Sequence, residues 1–202
     1  MSLTLLILLI TLVTSIFAFS NPVWMSKLMF RPYAIVYHKE WYRFFTYGFV
    51  HADFIHLLVN LWVLYIFGEV VEASLIMLKG SHGVLYFILL YVGGLLFSPL
   101  MSLRKHKDDM HYAAVGSSGA ISAIVFAFIL MYPLAPLMIF PIPISIPAFI
   151  FGMAYIAYSW YMSRRSSDHI GHDAHLLGAI FGLIYMIIIE PSLFFRFFNL
   201  FM

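Results

Sequence analysis

The sequence predicts an all-α polytopic membrane protein, a single bundle of six transmembrane helices that uses the whole chain. Of 202 residues, 63% are hydrophobic and only 10% are charged. Soluble domains carry about 45–50% apolar and about 25% charged residues. Mean hydropathy is +0.97. A membrane helix needs roughly 20 apolar residues, and six segments qualify: 3–19, 52–72, 83–103, 114–132, 147–162 and 170–189.

Composition also excludes chemistry. Cysteine is absent, which removes disulfides, a thiol nucleophile and thiolate metal sites. A net charge of +2 is too small and too scattered for a nucleic-acid partner.

The first span resembles a signal peptide only at Ala18-Phe19-Ser20. It lacks a basic leader, since Lys27 is the first positive residue, so it reads as a retained span. The connection 20–51 interleaves Trp24, Phe30, Tyr33, Tyr37, Trp41 and Tyr42 with Lys27, Arg31, Lys39 and Arg43. Aromatic and basic residues together favour the headgroup layer, which predicts a first loop lying in the interface. The second span opens with His56 and Asn60, the fourth with Gly116-Ser117-Ser118-Gly119, and the sixth with His175. Between the fourth and fifth spans, Pro133, Pro136, Pro141 and Pro143 interrupt an apolar run. Proline lacks an amide donor and clashes with the preceding turn, so this run reads as a short interfacial connection.

Consecutive spans alternate direction, so the starts of the second, fourth and sixth lie on one face. Each polar group sits about 6–12 Å inside its helix end at 1.5 Å per residue. Small residues then allow close packing. His175, Gly178 and Gly182 share a stripe on the sixth span, and Gly119, Ala123 and Ala127 repeat on the fourth. Such stripes let membrane helices approach closely.

The chemistry available is hydrolytic. A serine hydroxyl becomes a useful nucleophile when a base takes its proton, and neutral His175 is the candidate base for Ser118. The start of the fourth helix offers unpaired amides and a positive dipole end, which suit an oxyanion. His56 and Asn60, at i and i+4, share one helix face and supply further donors. His51 lies about 140° around that helix and reads as structural. Asp173, two residues before His175, projects elsewhere, and Asp53 suits a helix cap. A dyad is the expected arrangement.

Together these motifs resemble the rhomboid intramembrane serine proteases. The family pattern H-x4-H-x3-N is matched by His51, His56 and Asn60, G-x-S-G by Gly116 to Gly119, and A-H-x2-G-x3-G by Ala174 to Gly182. The likeness runs from about 21 to 190. It implies a rhomboid-like bundle in which Ser118 is the nucleophile and His175 the general base. His56, Asn60 and the backbone of Ser117 would bind the oxyanion, with the Ser118 amide. His51, Gly116, Gly119, Gly178, Gly182, Arg43 and Glu72 would shape the site from its surroundings. Trp41-Tyr42-Arg43 resembles the family's Trp-Arg element with one inserted Tyr, and Glu72 is expected to tie down the loop after the second span.

Two features depart from the family. An aromatic often stands four residues after the nucleophile and packs on the catalytic His, whereas Ser122 stands there in this chain; another group must hold His175. The likeness also puts the catalytic face outside the cytoplasm, yet most basic residues flank that face and only Lys79 and Arg196 lie opposite. The positive-inside rule points the other way, and a C-terminal reporter fusion separates the two.

The expected function is therefore an intramembrane serine protease acting on transmembrane protein substrates. The interfacial first loop, the connection 163–169 and the aromatic fifth span are the candidate gates. The alternative is a catalytically inactive rhomboid-like scaffold that binds membrane proteins. No cofactor and no metal are expected. The lipid bilayer is the other partner, and the compact six-span core suggests a bacterial inner membrane.

Overall fold

A computed structural model describes residues 1–139, 142–165 and 171–200. The first helix, α1 (Leu3–Ser20), starts at Ser2, whose hydroxyl accepts from the Leu5 amide. Its buried stripe is Thr4, Ile7, Thr11, Ser15 and Ala18, while Leu9, Val13 and Ile16 face outward. Hydroxyls inside and hydrocarbon outside is the polarity of a helix bathed in lipid.

The first loop is itself largely helical. It holds α2 (Pro22–Leu28), α3 (Pro32–His38), α4 (Arg43–Thr46) and a 3-10 turn over Tyr47–Phe49. Proline occupies a first-turn position in both α2 and α3, where its missing amide costs nothing. Asp53 caps α5 (Phe54–Lys79), accepting from the His56 amide at 2.8 Å. This helix runs two turns past the expected end at 72, stopping at Gly80, which has φ +58.

The expected third span is broken. It divides into α6 (Gly83–Phe97) and α7 (Leu100–His106) around Ser98-Pro99, where proline cannot continue the amide ladder. The helix expected from 114 begins later, at α8 (Ser118–Met131), because Ala114 is drawn into an antiparallel bridge with Phe30. Both amide-to-carbonyl bonds of that bridge form, at 2.9 and 3.0 Å.

The proline-rich connection forms a hairpin of β1 (Pro136–Ile139) and β2 (Ile142–Pro147), pairing Leu137 with Ile146. Proline breaks helix but tolerates extended edge strands; Pro141 of the expected connection lies outside the described residues. There follow α9 (Ala148–Ser163), α10 (His172–Ile189) and α11 (Ser192–Asn199). Residue 170, where the sixth span was expected to start, and residues 166–169 of the expected 163–169 gate also lie outside the described residues.

The core centres on α8, eleven of whose fourteen residues are buried. It is enclosed by α5, α6, α9 and α10, with α1 packed outside on α5. Among the described residues, three segments are long and apolar enough to cross a membrane: Leu3–Ser20, Phe54–His106 and His172–Ile189. Ser118–Met131 is apolar but shorter; fourteen residues rise only about 21 Å. Its neighbours enclose it, so α8 exposes little of its surface.

Candidate active site

Ser118 is the first residue of α8, and no side chain caps that helix. The amides of its first turn therefore have no partner within the helix. Gly116, two residues earlier, has φ +106. A β-carbon there would stand 2.8 Å from Cε1 of His56 and 3.6 Å from Cδ2 of His51. The turn before Ser118 thus lies directly against both histidines of the second motif, and only glycine fits.

The third motif arrives through backbone contact. A β-carbon on Gly178 would stand 2.0 Å from the Gly119 carbonyl oxygen, and one on Gly119 would stand 3.2 Å from the Ala174 carbonyl oxygen. Gly182 repeats the contact one turn deeper, 2.2 Å from the Ala123 carbonyl oxygen. The chain neighbours of Ser118 and His175 are therefore in van der Waals contact. Both candidate side chains are partly exposed, while Gly116, Ser117, Gly119, Gly178 and Gly182 around them are buried.

The donors are oriented by local bonds. The Ala52 amide donates to Nδ1 of His56 across a long 3.5 Å, which leaves the His56 proton on Nε2, the atom beside Gly116. Asn60 is buried, and its Nδ2 donates to the His56 carbonyl at 2.8 Å; one Nδ2 hydrogen is left for another acceptor. His51 is fully buried. Ser15 spends its only proton on the Phe49 carbonyl, so Nδ1–H of His51 donates to Ser15 Oγ at 3.0 Å. Burial, and then the neighbouring His56, push the His51 imidazole down to about 3. Its ring meets that of His56 edge-on at 5.0 Å.

His175 stacks on Tyr155 of α9, with ring centroids 6.1 Å apart and planes at 24°. The Tyr155 hydroxyl meets Ser122 Oγ at 2.7 Å, and Ser122 donates to the Ser118 carbonyl at 2.9 Å. Asp173 makes no hydrogen bond through its buried Oδ1 among the described residues, and so does not orient His175 through that atom.

A family profile described as Rhomboid domain matches residues 38–192. The chain belongs to the rhomboid family. It is 38% identical over 89 residues to Rhomboid-like protein 11, chloroplastic, of Arabidopsis thaliana, covering 43% of this chain and 28% of that protein. It is 27% identical over 150 residues to RHOMBOID-like protein 12, mitochondrial, of the same plant, covering 66% and 42%. It is 26% identical over 141 residues to Rhomboid protein 1, mitochondrial, of Saccharomyces cerevisiae, covering 68% and 39%. The chain spans well under half the length of each of these rhomboid relatives.

Two framework residues of this rhomboid chain lie apart from the motifs. Arg43 is buried and donates to the carbonyls of Ser26 and Met29 at 2.9 and 2.7 Å, while pairing with Glu40; it clamps the end of α2. Glu72 was expected to hold the loop after α5, and it does not. Its carboxylate instead accepts from the amides of Leu3 and Thr4, both at 2.8 Å, and from the Thr4 hydroxyl at 2.7 Å. It caps α1, because the extended α5 carries the true loop two turns further on.

Sequence reasoning missed three neighbours of the site. Tyr155 was one aromatic among several on its span. Ser15 gave only a polar position on the first span. Ser98 wedges against Gly119, whose β-carbon would approach it to 2.3 Å, and bonds Tyr47 at 3.0 Å. The serine beside the Pro99 break was the available signal.

Proposed function

We propose that this chain is an intramembrane serine protease that hydrolyses peptide bonds in or near transmembrane segments of other membrane proteins, using Ser118 and His175 as a dyad. The observation that carries the reading is the backbone contact between α8 and α10 at Gly119, Ala174 and Gly178, close in sequence to each reacting group. Family membership supports the same chemistry.

In this mechanism neutral His175 takes the Ser118 proton as Oγ attacks the scissile carbonyl. The oxyanion forms beside the start of α8, where the amides of Ser117 and Ser118, Nε2–H of His56 and the remaining Asn60 hydrogen are available. His175 then gives its proton to the departing amine, leaving an acyl-enzyme on Ser118. Water activated by His175 completes hydrolysis. An intact substrate helix hides its carbonyls in hydrogen bonds, so the substrate must unwind near the membrane surface first.

The bundle would cross the bilayer six times, through α1, α5, α6, α8, α9 and α10. Compactness alone speaks for a bacterial inner membrane, and the named relatives are chloroplastic and mitochondrial, which lends that assignment no support. The decisive experiment is cleavage of a reporter transmembrane substrate in detergent by wild type, Ser118→Ala and His175→Ala. Cleavage by wild type alone is expected. Undiminished cleavage by Ser118→Ala defeats the reading, and binding without cleavage by wild type favours an inactive scaffold.

A further inference from the structure

A ring is missing from α8 and present on α9. The position four residues after Ser118 is Ser122, yet the imidazole of His175 still faces an aromatic plane, that of Tyr155. We propose that Tyr155 is the positioning residue for His175, tethered by Ser122 to the turn that carries Ser118; the inference rests on the protease reading above.

The bonding order follows from proton counting. The Ser118 carbonyl only accepts, so Ser122 spends its single proton there. The Tyr155 hydroxyl must then donate to Ser122 Oγ, across 2.7 Å. One end of the tyrosine is thereby fixed to α8. Its ring is wedged by Phe126 of α8 at 5.6 Å and by Phe151 of its own helix at 5.9 Å. A ring held at both end and flank presents a fixed plane to the imidazole.

That plane restrains the base. At 24° to the imidazole it restricts rotation of the His175 ring, and offset stacking of this kind is attractive. The sequence has exchanged a ring on the nucleophile's own helix for one on a neighbour. Tyr155 rides on α9, so outward movement of α9 withdraws the ring from His175. Seating of α9 and orientation of the base are thus one event.

The test compares kcat, KM and fluorophosphonate labelling in the full chain. Tyr155→Phe keeps the ring and is expected to stay within about threefold of wild type in kcat. Tyr155→Leu removes the ring; kcat is expected to fall about tenfold or more with KM little changed. Adding Ser122→Tyr to Tyr155→Leu supplies a ring from α8 and should recover part of the loss. If Tyr155→Leu melts below the assay temperature, Tyr155→Met, a flexible filler, carries the same comparison. Wild-type kcat in the ringless variant overturns the inference and leaves the dyad standing. Full labelling of Ser118→Ala overturns the protease reading and the inference with it.

Discussion

Gly178 of α10 rests on the carbonyl oxygen of Gly119 so closely that a β-carbon would stand 2.0 Å away. Real β-carbons essentially never come within 3.0 Å of such an atom, so Gly178→Ala must drive α8 and α10 apart by about an ångström. Overpacking of this kind costs about 1–3 kcal/mol. A misplacement of that size at a reacting pair costs on the order of 100-fold in rate. Gly178→Ala is therefore expected to lose nearly all fluorophosphonate labelling at temperatures where it remains folded. Labelling within threefold of wild type, with an unchanged melting temperature, would refute the contact.

The same contact shows what a sequence carries. Gly119, Gly178 and Gly182 were legible because small residues at helical spacing have few other uses among bulky apolar ones. His56, Asn60, Ser118 and His175 stand out as candidates because polar groups in apolar spans are rare. The stack of Tyr155 on His175 was not, since five other aromatics on the same span gave the same local signal. The start of α8 was misjudged by four residues because the Phe30–Ala114 bridge is a long-range pairing between two loops. Likewise no local pattern joins Glu72 to Thr4, 68 residues away.

Glu72 gives the second prediction. Its buried carboxylate accepts three donors at the start of α1. Glu72→Ala strands those donors, at about 1–3 kcal/mol for each buried group left unpaired. The site should feel little of this, because Glu72 lies sixteen residues along α5 from His56, about 24 Å at helical rise. A lower melting temperature in detergent is expected, with Ser118 labelling within about twofold of wild type below it. Equal losses in both measurements would show that α1 is coupled to the site.

Acidity should loosen the opposite face. Lys79, which donates to Glu190 at 2.8 Å, and then the Ser192 hydroxyl hold the Glu190 carboxyl below its ordinary 4.5. A carboxyl depressed on folding contributes stability that is present above its unfolded value. That contribution disappears as pH falls through the folded value, so the loss begins near pH 4.5 and deepens below it. Both side chains keep about a fifth of their surface exposed, and such a pair is worth only about 0.5–1 kcal/mol. Melts of wild type and Glu190→Gln should differ slightly at about pH 7 and converge as pH falls below 4.5. A gap that stays constant across that range would remove the ion pair from the stability of the bundle.

Arg43 fixes the first loop by geometry more than by charge. Its guanidinium reaches the carbonyls of Ser26 and Met29 and the carboxylate of Glu40 together. An ammonium is a point charge on a flexible stem and cannot reproduce that fork. Arg43→Lys should therefore leave at least one carbonyl at the end of α2 unpaired, costing about 1–3 kcal/mol locally. The loosened segment includes Lys27, a trypsin site on α2. Limited trypsin digestion in detergent, read by mass spectrometry, should cut after Lys27 about tenfold faster in the variant, because proteolysis follows the population of the open form. An unchanged rate in Arg43→Lys would mean that α2 is held by its apolar contacts, with the arginine a bystander.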